Sequence, residues 1–163
     1  MPGCPTPRAS NQLHVERIPN VIDALRKTHS YVLVDMGRAL SKISLPIIKE
    51  ADLIALVVST DASTVALTKT VLDYLQKEEG VEASRIFPIL NRAVGTEGLT
   101  KSEAENALKL GIRLTMPYLM GNFTLANNQH TPLSTKFPAD TAAMVMKEAA
   151  IEMSRQALKA SSA

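Results

Sequence analysis

Short apolar runs alternate with amphipathic stretches along most of this chain. Ile18, Val21, Ile22 and Leu25 fall at i, i+3, i+4 and i+7, which predicts a helix with Pro19 in its first turn. Tyr31-Val32-Leu33-Val34-Asp35 is a brief apolar run that ends in a carboxylate and predicts a strand buried on both faces. A helix is expected from Ser44 as N-cap, with Pro46 in its first turn. Leu53 to Ser59 predicts a second buried strand. Asp61 or Ser63 then caps a helix that presents Leu67, Val71, Tyr74 and Leu75 and stops at Gly80.

Ile86 to Leu90 is a third apolar run, and Pro88 within it argues against a central, fully hydrogen-bonded strand. Thr100 and Glu103 form a capping box for a helix ending at Gly111, and Arg113 to Met116 predicts a fourth strand. A last helix starts near Asp140, with Ala142, Val145, Met146, Ala149 and Met153 on one stripe, a pattern that reads as core. Residues 1–17 are rich in Pro, Ser and Asn, show no period and read as loop.

Strands and helices in this order imply an α/β fold: a doubly wound, mainly parallel sheet with helices on both faces. With no internal repeat and no linker, residues 1–163 read as one domain.

Composition narrows the class. Apolar residues make up 45% and charged residues 21%, as in ordinary globular proteins, and with 4% aromatics and no Trp the core must be aliphatic. The net charge is +2, with Lys and Arg scattered, so the basic stripe of a dedicated nucleic-acid binder is missing. Cys4 is alone and forms no intramolecular disulfide, which points to a reducing, cytoplasmic setting. The run Leu53 to Val58 is far shorter than the roughly 20 residues a membrane span needs, and the Pro-rich start carries no secretory signal.

In doubly wound sheets ligands bind beyond the carboxyl ends of the strands. Four segments fall there: Asp35-Met36-Gly37, Ser59-Thr60-Asp61, Asn91-Arg92 and Pro117-Tyr118. Together they offer a carboxylate, hydroxyls, an amide and a guanidinium, equipment for a ligand with phosphates and a base. Asp35 could hold Mg²⁺ through water, with Gly37 letting a loop approach a terminal phosphate, or it could cap a turn. Asn91 could read a base through its paired donor and acceptor, or be an ordinary loop amide; Arg92 reads first as a solvated charge.

The string itself carries a resemblance. Tyr31-Val-Leu-Val-Asp35-Met-Gly37, Glu50-Ala-Asp-Leu-Ile-Ala-Leu-Val-Val-Ser-Thr60, Ile89-Leu-Asn-Arg92, Met116-Pro-Tyr118 and Leu125-Ala-Asn-Asn-Gln-His-Thr-Pro-Leu133 occur in the order and at the separations seen in the MinD/ParA family of P-loop ATPases. They look most like the ATPase domains of CpaE-type pilus-assembly proteins, and the resemblance spans roughly residues 18–158. It implies that Asp35 is the Walker B carboxylate near Mg²⁺ and that Gly37 belongs to the switch sensing the terminal phosphate. It also implies that Asn91 bonds adenine with Arg92 beside it, and that Pro117 and Tyr118 line the base pocket. ATP and Mg²⁺ would be the ligands, and ATP-dependent positioning or pilus and secretion assembly the role. Partners would be a like subunit, or a chain supplying the missing N-terminal half, and proteins of the assembly system. Neither stable membrane insertion nor specific nucleic-acid binding is implied.

The departures are as informative. The family opens with a strand and a glycine-rich loop whose N–H groups and Lys cradle the phosphates. No Gly-Lys-Ser/Thr triplet occurs here, so the sequence reads as the C-terminal part of such a domain, a partial P-loop fold expected to be inactive alone. His130 stands where the family usually has Gly. The family's strand order puts the missing strand between Tyr31–Asp35 and Leu53–Ser59. Those two would therefore pair directly, be bridged by another chain, or leave the chain poorly folded. Two other readings stand beside this one. The first is a non-catalytic interaction module that keeps the fold. The second is a phospho-receiver domain with Asp35 as acceptor and Ser59 or Thr60 on the next strand; it needs an acidic pair and a late Lys, where this chain has Asn91-Arg92.

Overall fold

The computed structural model describes residues 14–37, 40–92, 97–119 and 121–161. It divides into two compact units, Met1–Ala51 and Asp52–Ala163.

In the first unit a 3-10 turn, Val15–Arg17, leads into helix α1, Ile18–Thr28, and helix α2 follows at Ser44–Glu50. Pro19 sits in the first turn of α1, where its missing N–H costs nothing. The two helices pack together, and the Arg26 guanidinium donates to the Glu50 carbonyl. No residue of α1 is fully buried, although its apolar residues form one clear stripe. The cap of α2 differs from expectation. Ser44 is already helical, and the Ser41 hydroxyl accepts from the N–H groups of Ile43 and Ser44 at 3.2 and 3.1 Å.

Tyr31–Asp35 is the main correction. Residues 31–37 adopt no strand, Leu33 is 93% exposed, and the segment joins no ladder among the described residues. A strand exists only through lateral hydrogen bonds. The neighbour implied for this run leads into a glycine-rich loop, and no such loop occurs in the 163 residues. Apolar sequence alone therefore leaves it without a ladder. Direct pairing with the next strand is not what these residues adopt.

The second unit is built on a parallel sheet of three strands in the order β1-β2-β3: Ile54–Ser59, Ile86–Asn91 and Leu114–Met116. Helices α3, Ala62–Lys77, and α4, Lys101–Leu108, lie on one face, where Val58, Val65, Leu90, Ala104, Leu108 and Ile112 form a core. On the other face Phe87, Ile89 and Leu114 pack against Ala149, Val145 and Met153 of α7, Thr141–Ser161. Two short helices not foreseen from sequence, α5 (Gly121–Asn128) and α6 (Leu133–Lys136), close one end of α7 through Ala126, Leu133, Ala142 and Ala143. The doubly wound, parallel α/β reading therefore holds, with helices on both faces of the sheet.

Pro88 lies within the central strand after all, fully buried. A residue's N–H and C=O point to the same edge of a strand. The Pro88 carbonyl accepts from Arg113 N at 3.0 Å, so its nitrogen also faces the β3 edge. There β3 starts only at Leu114, opposite Ile89, and the proline removes no ladder bond.

The helix α3 also departs from expectation. Its buried residues are Val65, Leu72 and Leu75, while Leu67 and Tyr74 are exposed at 66% and 38%. The sequence carries two apolar stripes, and packing on β1 selects the one holding Val65 and Leu72.

β1 is hydrogen-bonded to β2 only, among the described residues. Val58 is fully buried and Val57, one position earlier on the opposite face, is 59% exposed. This orientation sets two expectations. Leu90→Ala should cost about 2–5 kcal/mol in chemical denaturation, because Leu90 is fully buried. Val57→Lys should stay within about 0.5 kcal/mol of the parent. A large loss for Val57→Lys would mean that the β1 edge is covered.

Candidate functional site

The parallel register brings the three strand ends into line. Ser59 lies opposite Asn91, and Asn91 opposite Met116. Arg92 continues the ladder by one bond, its N–H donating to the Met116 carbonyl at 3.1 Å. Pro117 and Tyr118 follow directly; Asn91, Arg92 and Pro117 are half-buried and Tyr118 is 52% exposed. The structure thus gathers Asn91, Arg92, Pro117 and Tyr118 at the carboxyl edge of the sheet. An amide and an aromatic ring can meet a flat heterocycle, and a guanidinium can stack on one or pair with an anion.

The corner beyond β1 serves a different purpose from the one its side chains suggest. Thr60 is fully buried; its hydroxyl donates to the Glu97 carbonyl at 3.3 Å, and its own carbonyl accepts from Leu99 N at 2.7 Å. Asp61 is the N-cap of α3, accepting from Thr64 N at 2.9 Å and from the Ser63 hydroxyl at 2.6 Å. The Ser63 bond, then those from Thr64, hold the Asp61 carboxyl below its ordinary value. Neither residue is ready ligand equipment: both are engaged in holding the backbone.

Asp35 and Gly37 belong to the first unit, where both are exposed. Among the described residues no group of three or more His, Cys, Asp or Glu could cage a metal. A lone exposed carboxylate such as Asp35 does not make an all-protein metal site, which needs several oxygen ligands.

Asp140 reads from sequence only as a helix start. In the structure it accepts from Asn122 Nδ2 and from Ala142 N, both at 2.9 Å, which ties the start of α5 to the start of α7 beside the cluster that holds Met116 and Leu119. The Asn122 bond and then the Ala142 bond lower its carboxyl pKa. A lone Asp just before an apolar helical stripe was the available signal. His130 has φ +51°, a left-handed conformation that glycine adopts freely, at the position where glycine was the expected residue.

The concavities lie elsewhere. A groove of about 490 Å³ runs along α1 past Val21, Ala24 and Leu25. One of about 380 Å³ sits at the amino ends of the strands, by Ser84, Ile86, Gly111 and Arg113.

No protein-family model matches the chain, and no curated protein matches it. Among solved structures it is similar to the crystal structure of a ParA family ATPase from Chlorobium tepidum TLS, with a TM-score of 0.83 and 19% identity. The match covers 93% of this chain and 62% of that one, so this chain spans less than two thirds of that protein's length. The fold is that of the ParA family ATPases. None of the described helices is long and apolar enough to cross a membrane.

The Asp61 cap sets a pH expectation. Its folded pKa is depressed, so its contribution is present above the ordinary aspartate value of 3.8 and is lost as pH falls through the lower folded value. Thermal melts of the parent and Asp61→Ala should therefore differ at neutral pH and converge in acid. A gap that persists or widens in acid would mean that the carboxylate is not the group responsible.

Proposed function

We propose that this chain is a nucleotide-binding domain of the ParA kind, in which the base half of the site is intact and the phosphate half is incomplete. The observation that carries the reading is the shared carboxyl edge of Asn91, Arg92, Pro117 and Tyr118 within a ParA-like fold. On this reading Asn91 bonds the adenine edge, Arg92 packs beside it, and Pro117 and Tyr118 form the floor. Asp35 serves as the Walker B carboxylate toward water-bound Mg²⁺, and Gly37 belongs to the phosphate-sensing switch. ATP with Mg²⁺ is the ligand, and hydrolysis needs the phosphate cradle that these residues do not provide, since positioning and charge stabilisation are nearly all of phosphoryl transfer.

The finer assignment follows the sequence motifs: a MinD- or CpaE-like cytoplasmic role in positioning or in pilus or secretion assembly. The partner is a like subunit, or a chain that supplies the phosphate loop, together with proteins of the assembled system. Membrane insertion and specific nucleic-acid binding are not part of the proposal.

One observation favours the second reading, an interaction module that keeps the fold without the chemistry. β1, five apolar residues followed by Ser59, carries no charge and no proline, pairs along one side only among the described residues, and leaves Val57 largely exposed. The same titration separates the two. Calorimetry with adenosine, ADP and ATP should give weak binding of similar strength for all three, within about tenfold, equivalent to about 1.4 kcal/mol. Asn91→Ala should abolish it. ATP binding far tighter than adenosine would place phosphate recognition in residues away from this edge. Binding of none of the three would leave the interaction module.

A further inference from the structure

Just ahead of α4, residues 97–99 lie against the carboxyl end of β1, and one contact there is tighter than a surface connection requires. Gly98 has φ +86°, and a Cβ added there would lie 2.5 Å from the Thr60 carbonyl oxygen, 2.7 Å from the Thr60 hydroxyl and 2.9 Å from its Cβ. Backbone on one side and a fully buried side chain on the other leave no room to yield. Only glycine satisfies both the left-handed backbone and the close approach. The approach is bonded on both sides: the Thr60 hydroxyl donates to the Glu97 carbonyl, and Leu99 N donates to the Thr60 carbonyl. Immediately beyond, Leu99 packs on the core of Val58, Val65 and Leu90, and Thr100 caps α4. Thr60 thus holds three successive residues, Glu97 to Leu99, at the carboxyl end of β1.

We propose that Thr60 and Gly98 form a clamp that positions the base subsite. It rests on the nucleotide-binding reading above. Ser59, whose register partner is Asn91, directly precedes Thr60. The clamp therefore pins the returning chain one residue from the pair that brackets the subsite, while Arg92 N on Met116 O holds the departing chain on the other side. With the end of β1 fixed beside Asn91 and Arg92 fixed on β3, Asn91 and Arg92 keep one presentation toward a bound base. Thr60 and Gly98 are positioning residues: they touch Glu97, Leu99 and each other rather than the ligand. This also accounts for a buried threonine directly after a strand, where an exposed hydroxyl would be needed for ligand contact.

The test compares Thr60→Val, which keeps shape and removes the donor, with Thr60→Ser, which keeps the donor. Gly98→Ala serves as the steric variant. Two readouts are taken on the full chain: adenosine affinity, and the NMR resonances of the Asn91 side-chain amide without ligand. Thr60→Val should weaken adenosine binding by about tenfold, because the subsite is no longer held in one presentation. It should also shift the Asn91 amide resonances. Thr60→Ser should restore both. Gly98→Ala should resemble Thr60→Val; if it does not fold, the threonine pair still decides. Unchanged affinity and unchanged Asn91 resonances in Thr60→Val overturn the clamp, as does failure of Thr60→Ser to restore them. If the parent binds no adenosine, the nucleotide reading fails on its own, and the Asn91 resonances alone then judge the clamp.

Discussion

The second unit depends on the burial of β2 from both sides. Its side chains alternate, Leu90 toward α3 and α4, Phe87 and Ile89 toward α7, and each sits in a closed apolar layer. A strand clad on both faces must satisfy its backbone laterally, and the parallel ladders to β1 and β3 do so. Those ladders fix the register, and the register is what places Ser59, Asn91 and Met116 in one line. The candidate site is thus a consequence of core packing: the shelf at the carboxyl edge exists because the layers beneath it lock three strand ends together.

The same logic separates the strand ends from the Tyr31–Asp35 run. Asn91, Arg92, Pro117 and Tyr118 follow strands held by burial and by hydrogen bonds to a neighbour. Tyr31–Asp35 has comparable apolar content and no ladder among the described residues, so Asp35 does not end a strand. β1 shows the intermediate case, paired along one edge and bare at Val57 on one face. Order in this sheet tracks lateral pairing rather than hydrophobicity.

Much of this was legible in the residues. Alternating apolar runs and helical stripes located β1, β2, β3 and the long helices, and the Thr100–Glu103 capping box and the Asp61 cap were readable because they are local. What escaped was what depends on partners. Tyr31–Asp35 has strand composition, but composition does not supply a neighbour. Pro88 looked incompatible with a central strand because sequence does not reveal that β3 begins one residue too late to need its donor. Leu67 and Tyr74 competed with Val65 and Leu72 for the inner face of α3, and only packing chose. At the site, residue types pointed to Asn91, Pro117 and Tyr118. Nothing in Ser59-Thr60-Asp61 announced that the Thr60 side chain, like the Asp61 cap, holds the backbone.

Whether the carboxyl edge around Asn91 is a base-binding shelf can be read residue by residue. The decisive experiment is an adenosine titration of the isotopically labelled chain, followed through its amide resonances. Shifts should be confined to Asn91, Arg92, Met116 and Tyr118, with none at Ser84, Ile86, Gly111 and Arg113 around the groove at the opposite end of the strands. Shifts centred on that groove, or on α1, would contradict the shelf.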